Sequence, residues 1–312
     1  MIVTGAGSLP GTDFRGAVAA MAEGLPELVP VPELPERGPH ASMIGRALGL
    51  VDGIGVDLQP SGWRLTDHSD ANHRRARATW RRDLDDLEEL LQGATGGLKI
   101  AVAGPWTLAA TVQRPRGDVV LADHGARRDL AQALEEGART VVEDLRRRLP
   151  AMSVAVQVDE PSLVAVRRGA VPTASGLARH RAVDDEEIAR TLAPWSDAVL
   201  HCCAPGRILD VVRRAGIRAV HVDASHADVD ELGTWIDGGG ALTLGVVDTA
   251  ATRRQGVDEL VDRARRVTRE LGLGPWMSLA PACGMAAWAP ADVTWQLGQL
   301  RRAATVLEGL HG

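Results

Sequence analysis

Along the chain, short runs of apolar and β-branched residues alternate with longer stretches whose apolar positions recur every three to four residues. The short runs are Ile2–Ala6, Gly53–Leu58, Leu98–Ala103, Ser153–Val158, Ala198–Cys202, Ala219–Val222, Ala241–Val247 and Trp276–Leu279. They are mostly continuously apolar, as expected of parallel strands buried on both faces. Helical periodicity marks Asn72–Leu91, Ala126–Arg148, Asp184–Ala193, Gly206–Ala215 and Val257–Leu271. A last helix is expected over Ala291–Leu307, after Pro290 and stopping near Gly309.

Eight strands, each followed by a helix, predict an α/β fold of the (β/α)8 TIM-barrel type, one domain over residues 1–312. The rival layout is a pair of flavodoxin-like halves. No Pro/Gly/Ser-rich linker near the middle supports it, and no short-period repeat is visible. The Pro-rich segment Pro26–Pro39 reads as an early loop.

Composition narrows the chemistry. With 35 Lys+Arg against 41 Asp+Glu the formal charge is −6, and basic residues are scattered over helix faces. That argues against nucleic acid or an anionic membrane as partner. No apolar run approaches the length of a membrane span, and the first residues lack the charged and apolar regions of a secretory signal. Three cysteines, two of them adjacent, do not make a disulfide framework, so a cytoplasmic location is expected. There is no tyrosine, and Lys99 is the one lysine.

Active residues of such barrels follow the strands on one face. The expected strand ends read Gly7-Ser8-Leu9-Pro10, Asp57-Leu58-Gln59-Pro60, Gly104-Pro105-Trp106-Thr107 and Asp159-Glu160-Pro161-Ser162, then His201-Cys202-Cys203, Asp223-Ala224-Ser225, Asp248-Thr249 and Pro281-Ala282-Cys283-Gly284. Polar and metal-ligating residues crowd that end alone. His201 and Cys203 stand two apart, on one side of a strand, and Cys283 adds a second thiol, a donor set suited to zinc. Cys202 alternates away and reads as a buried small hydrophobe. Asp223 and His221 are candidates for a fourth ligand, Asp223 lying nearer the strand end. Of Asp159 and Glu160 only one can point inward, where a carboxylate suits a substrate ammonium; a helix-cap role fits Glu160 equally. The Ser8 turn offers a hydroxyl and backbone N–H groups to a carboxylate.

The order Gly-Ser-x-Pro, Gly-Pro-x-Thr, Asp-Glu-Pro, His-x-Cys and Cys-Gly resembles the catalytic C-terminal barrel of cobalamin-independent methionine synthases, a relative of uroporphyrinogen decarboxylase and the methylcobamide:coenzyme M methyltransferases. The likeness runs over essentially the whole chain and extends to short, single-barrel actinobacterial relatives. It implies zinc-dependent methyl transfer to the thiol of L-homocysteine, giving methionine. His201, Cys203 and Cys283 fall on the family's zinc positions, with Asp223 where the family has a glutamate. Ser8 falls on the residue holding the amino-acid carboxylate, and Asp159 on one holding the amino group. Glu33 or Glu36 would supply a second amino-group carboxylate.

Three departures bear on the methyl donor. By this resemblance the folate-binding N-terminal half of the full-length synthases is expected to be absent, Thr111 to stand where they place a folate-stacking tryptophan, and Ala250 where they have an acid histidine. A folate leaves as an amine and needs a proton, whereas a methylcorrinoid leaves as cobalt(I) and does not. The expected donor is therefore a methylcorrinoid, or a corrinoid protein carrying it. Asp248 is the candidate substitute acid, with His221, His226 and His68 as others. The rivals are a zinc barrel methylating another thiol, a metal-free decarboxylase-like barrel, and a non-enzymatic zinc- or corrinoid-binding accessory protein. No arginine cluster at the strand ends supports the decarboxylase.

Overall fold

In a computed structural model describing residues 1–309, seven strands form one parallel sheet. The described residues hold nine strands in all, in chain order β1 (Leu28–Pro30), β2 (Gly55–Gln59), β3 (Gly62–Thr66), β4 (Gly96–Ala103), β5 (Met152–Asp159), β6 (Val199–Cys202), β7 (Ala219–Asp223), β8 (Ala241–Val247) and β9 (Met277–Pro281). The sheet order is β1-β4-β5-β6-β7-β8-β9, and every neighbouring pair is parallel. All carboxyl ends therefore emerge on one side, which is what brings distant strand-end residues together.

Six of the eight expected strands take their places in this sheet; the first two do not. Ile2–Ala6 forms no regular strand. It makes an isolated bridge from Val3 to Leu279, and Ser8 bridges to Glu33. Hydrogen bonds still tie it on both sides: Thr4 N–H to Leu279 O at 3.0 Å and Glu33 N–H to Gly7 O at 2.9 Å. Gly53–Leu58 is corrected more fully. Its core forms β2, which turns at Pro60-Ser61 and pairs antiparallel with β3 as a separate hairpin. Val56, Trp63 and Leu65 bury one face of this hairpin, and Gln113 tethers it through Leu65 N–H to its carbonyl at 2.8 Å.

The strand displaced from that reading is β1, inside the Pro-rich stretch taken as a loop. Pro30 and Pro32 have no N–H to give a ladder, which hides the strand from pattern reading. Val31 and Glu33 supply the bonds instead, to Lys99 O and Gly7 O.

Aspartates start the helices. Asp13, Asp70, Asp123, Asp184 and Asp228 each accept a backbone N–H of the first turn of Phe14–Gly24, Ala71–Leu91, His124–Arg148, Asp185–Leu192 and Val229–Asp237. Such caps contribute about 1 kcal/mol each. Val257–Leu271 and Pro290–Gly309 form as expected, whereas Gly206–Ala215 shortens to Leu209–Arg214. One hydrophobic cluster extends from Val3 to Leu307. No helix among the described residues is long and apolar enough to cross a membrane.

Candidate functional site

The parallel register sets the first rung of the site. Asp159 on β5 pairs with His201 on β6, and His201 pairs with His221 on β7. Register neighbours project to the same side, so an acid and two imidazoles stand in a row. His201 Nδ1 is 2.8 Å from Asp159 Oδ1, and the His201 and His221 rings stack with centroids 4.3 Å apart. Burial alone would lower the His201 pKa; the bond and charge of Asp159 outweigh it and raise it.

Cys203 follows β6 and Cys283 follows β9. The ligand atoms of His201, Cys203 and Cys283 all lie within 4.8 Å of one another. The Cys203 thiol donates to the Cys283 sulfur at 3.4 Å. That bond and nearby His201 hold Cys283 down at about 6 against the effect of burial, while Cys203, the donor, is pushed up. A sulfur that readily becomes thiolate, a second thiol and an imidazole whose other nitrogen is held by a carboxylate fit a zinc site. Cys202 is buried apart from them and pushed up to about 12 by burial, the inert role expected of it.

The adjacent acids of β5 divide their work. Asp159 Oδ1 receives both His201 Nδ1 and Gln157 Nε2, the latter at 2.7 Å. Glu160 turns the other way and is fully buried. It accepts Trp106 N–H, Thr107 N–H and Thr107 Oγ–H at 2.9, 2.7 and 2.7 Å, capping helix Pro105–Thr111. Burial pushes its pKa up to about 7 against those three bonds. A Cβ on Gly104 would sit 2.4 Å from this carboxyl, so only glycine fits there. The Gly-Pro-x-Thr helix start is thus filled by the chain's own acid.

Of the two early-loop glutamates, Glu33 reaches the site. It is buried and accepts the Ser8 hydroxyl at 2.7 Å. Burial pushes it up to about 7, with Arg46 opposing and the nearby Asp159 and Cys283 adding. Glu36 instead accepts the exposed Gly11 N–H. The Cys283 loop closes directly on Ser8: Met285 N–H donates to Ser8 O, and a Cβ on Gly284 would lie 2.6 Å from the Ser8 Cβ.

Other sequence candidates fall outside this cluster. Asp223 is not in the His–Cys–Cys group; its Oδ1 accepts Ser225 N–H at 2.7 Å, and its Oδ2 lies 3.9 Å from His226. His221 Nε2 faces Pro281 O at 3.0 Å, steadying the strand that carries Cys283, and burial drives its pKa well below the usual value. Asp248 Oδ1 accepts Ala250 and Ala251 N–H and shapes its loop. Thr111 bonds within its own helix to Thr107 O, and His68 accepts Thr66 Oγ–H through its carbonyl. Two residues escaped the strand-end reading altogether: Lys99 and Gln157, buried in mid-strand. A lone lysine among the apolar residues of β4 was the available signal.

A parallel α/β sheet that gathers imidazole, thiols and carboxyls at the carboxyl ends of its strands has the plan of a barrel-type enzyme. Over residues 97–306 the chain matches the family described as the catalytic domain of cobalamin-independent synthase. It belongs to that family and is a methyltransferase of the methionine synthase type. No curated protein matches it in sequence. Among solved structures, a B12-independent methionine synthase from Shewanella sp., in complex with selenomethionine, is similar in fold with a TM-score of 0.69 at 13% identity, covering 98% of this chain and 97% of that one. A protein from Listeria monocytogenes described as a vitamin-B12-independent methionine synthase gives 0.63 at 13%, covering 100% and 99%. A methyltransferase from Methanosarcina mazei gives 0.59 at 14%, covering 93% and 84%.

Proposed function

We propose that this chain methylates the thiol of L-homocysteine to give L-methionine, using zinc held by His201, Cys203 and Cys283. The observation that carries the reading is the convergence of those three donors beside Asp159, Glu33 and Ser8, in a member of this family. When bound, zinc supplies the Lewis acidity that keeps the acceptor sulfur as thiolate near neutral pH. Asp159 fixes the His201 ring through Nδ1, so that Nε2, which faces Ala282 O at 3.2 Å, would be the ligand nitrogen. Asp159 and Glu33 take the substrate ammonium, and the Ser8 turn takes its carboxylate. Glu33 carries a proton more readily than an ordinary glutamate; a bound ammonium favours its ionised form and expels that proton. Asp223 is left as a turn former, not a fourth ligand.

The whole chain acts, in this reading, as one eight-stave barrel, with residues 2–9 as the eighth stave. Its bonds to Leu279 on one side and Glu33 on the other support that.

The expected methylcorrinoid donor finds no support in the comparisons, since the family and two of the structural relatives are described as independent of cobalamin. A folate-type donor is the reading that description favours. One observation favours the corrinoid: Asp248, the candidate substitute acid, has its Oδ1 engaged by two backbone N–H groups. Purified protein given homocysteine with methyltetrahydrofolate or methylcobalamin separately decides between them. Methionine from neither donor, with zinc present, would remove the proposed function.

A further inference from the structure

We propose that Lys99 and Gln157 are positioning residues, Lys99 orienting the Gln157 amide and Gln157 aiming the Asp159 carboxylate at both His201 and the substrate ammonium. The inference rests on the function proposed above. Lys99 is the only lysine in a chain that otherwise uses arginine, and it is 3% exposed. Its Nζ donates to Gln157 Oε1 at 2.7 Å. The other end of that amide donates twice from Nε2, to Ala6 O at 2.9 Å and to Asp159 Oδ1 at 2.7 Å. Asp159 Oδ1 then meets His201 Nδ1 at 2.8 Å.

An amide in this place has two orientations, and its surroundings permit one. Flipped, the oxygen would face a carbonyl and a carboxylate, and the NH2 would face Lys99 Nζ, which has no acceptor when protonated. Lys99 therefore fixes the donor end toward Asp159. With two donors converging on Oδ1, the second carboxylate oxygen is left for the incoming ammonium. A compact ammonium on a flexible stem suits this buried role, where the broad guanidinium used elsewhere in the chain would not. Burying such a charge is unfavourable unless it is paired and hydrogen-bonded, so its position calls for a specific reason.

Calorimetry of homocysteine binding to the zinc-loaded protein tests this, with zinc content and melting temperature recorded alongside. Gln157→Met is expected to weaken binding about tenfold or more, the range of a hydrogen bond to a charged group, with zinc retained. Lys99→Met should weaken it similarly, and Lys99→Gln, which keeps an N–H donor, should recover part of the loss. The Lys99→Met/Gln157→Met double variant should bind no more weakly than the worse single, because Lys99 acts only through Gln157. Additive losses, or wild-type affinity in Gln157→Met, overturn the proposal. Gln157→Glu preserves the side-chain shape and serves where Gln157→Met does not fold.

If wild-type protein binds no homocysteine, the functional reading fails and the Asp159 carboxylate itself decides the positioning role. In a crystal structure of metal-free Gln157→Met, or of Gln157→Glu where that variant does not fold, Asp159 is expected to turn so that Oδ1 no longer lies 2.8 Å from His201 Nδ1. A carboxylate unmoved from its wild-type place overturns the proposal.

Discussion

Replacing Asp159 by asparagine probes two roles of one carboxylate, the bond to His201 and the proposed hold on the substrate ammonium. Oδ1 accepts from His201 Nδ1 at 2.8 Å and Gln157 Nε2 at 2.7 Å. These two donors will orient the new amide with its carbonyl oxygen toward them, so its NH2 takes the place of Oδ2. A donor then faces the substrate ammonium. The loss of one hydrogen bond to a charged group, about 1.5–3 kcal/mol, corresponds to roughly ten- to a hundredfold weaker homocysteine binding. The same change replaces the charged partner of His201 by a neutral one. Loss of such a partner weakens metal binding by about 10–100-fold, and an asparagine that keeps the bond should fall at the lower end. Calorimetry with homocysteine at saturating zinc reads the first effect, and competition with a chelator reads the second. Homocysteine affinity unchanged at full zinc occupancy would refute the placement of the ammonium. Unchanged zinc affinity would refute the coupling through His201.

Four further outcomes follow from the same geometry. Cys283→Ser and Cys203→Ser should each remove most of the zinc found in purified wild type, measured by elemental analysis; stoichiometric zinc in both would take these residues out of the site. Glu33, held at about 7 in the fold against 4.5 ordinarily, favours the folded state when protonated. Its contribution is full below about pH 4.5 and is lost as pH rises through about 7, up to about 3 kcal/mol by linkage; denaturation of Glu33→Gln across this window should lack that component. Gly284→Ala places a methyl 2.6 Å from the Ser8 Cβ, an overpacking expected to destabilise by about 1–3 kcal/mol and to weaken homocysteine binding, both checked by denaturation and calorimetry. Glu160→Ala strips helix Pro105–Thr111 of three bonds to its first turn and should lower stability by about 2–5 kcal/mol, leaving buried donors unmet; a melting temperature within a degree or so of wild type would contradict that.

Period and punctuation alone determined most of the scaffold. Buried parallel strands are continuous apolar runs and surface helices are amphipathic, so β4 through β9 and the long helices could be read locally. His201, Cys203 and Cys283 could be singled out for the same reason: their chemistry is scarce, and each stands at the end of such a run. What no local pattern holds is which segments become neighbours. Proline-bearing β1 and the first segment, bridged at isolated positions, take their places only because other strands supply partners. The hairpin of β2 and β3 has the apolar character of a sheet strand yet pairs elsewhere. Tertiary packing likewise selected Glu33 over Glu36 and turned Glu160 into a cap beside inward-facing Asp159. It also withheld Asp223 from the donor set and linked Lys99 to His201 through two intervening side chains. Those choices depend on register between strands far apart in the chain. A side chain's type is written in the chain; the partner it will face is set only when the sheet curls.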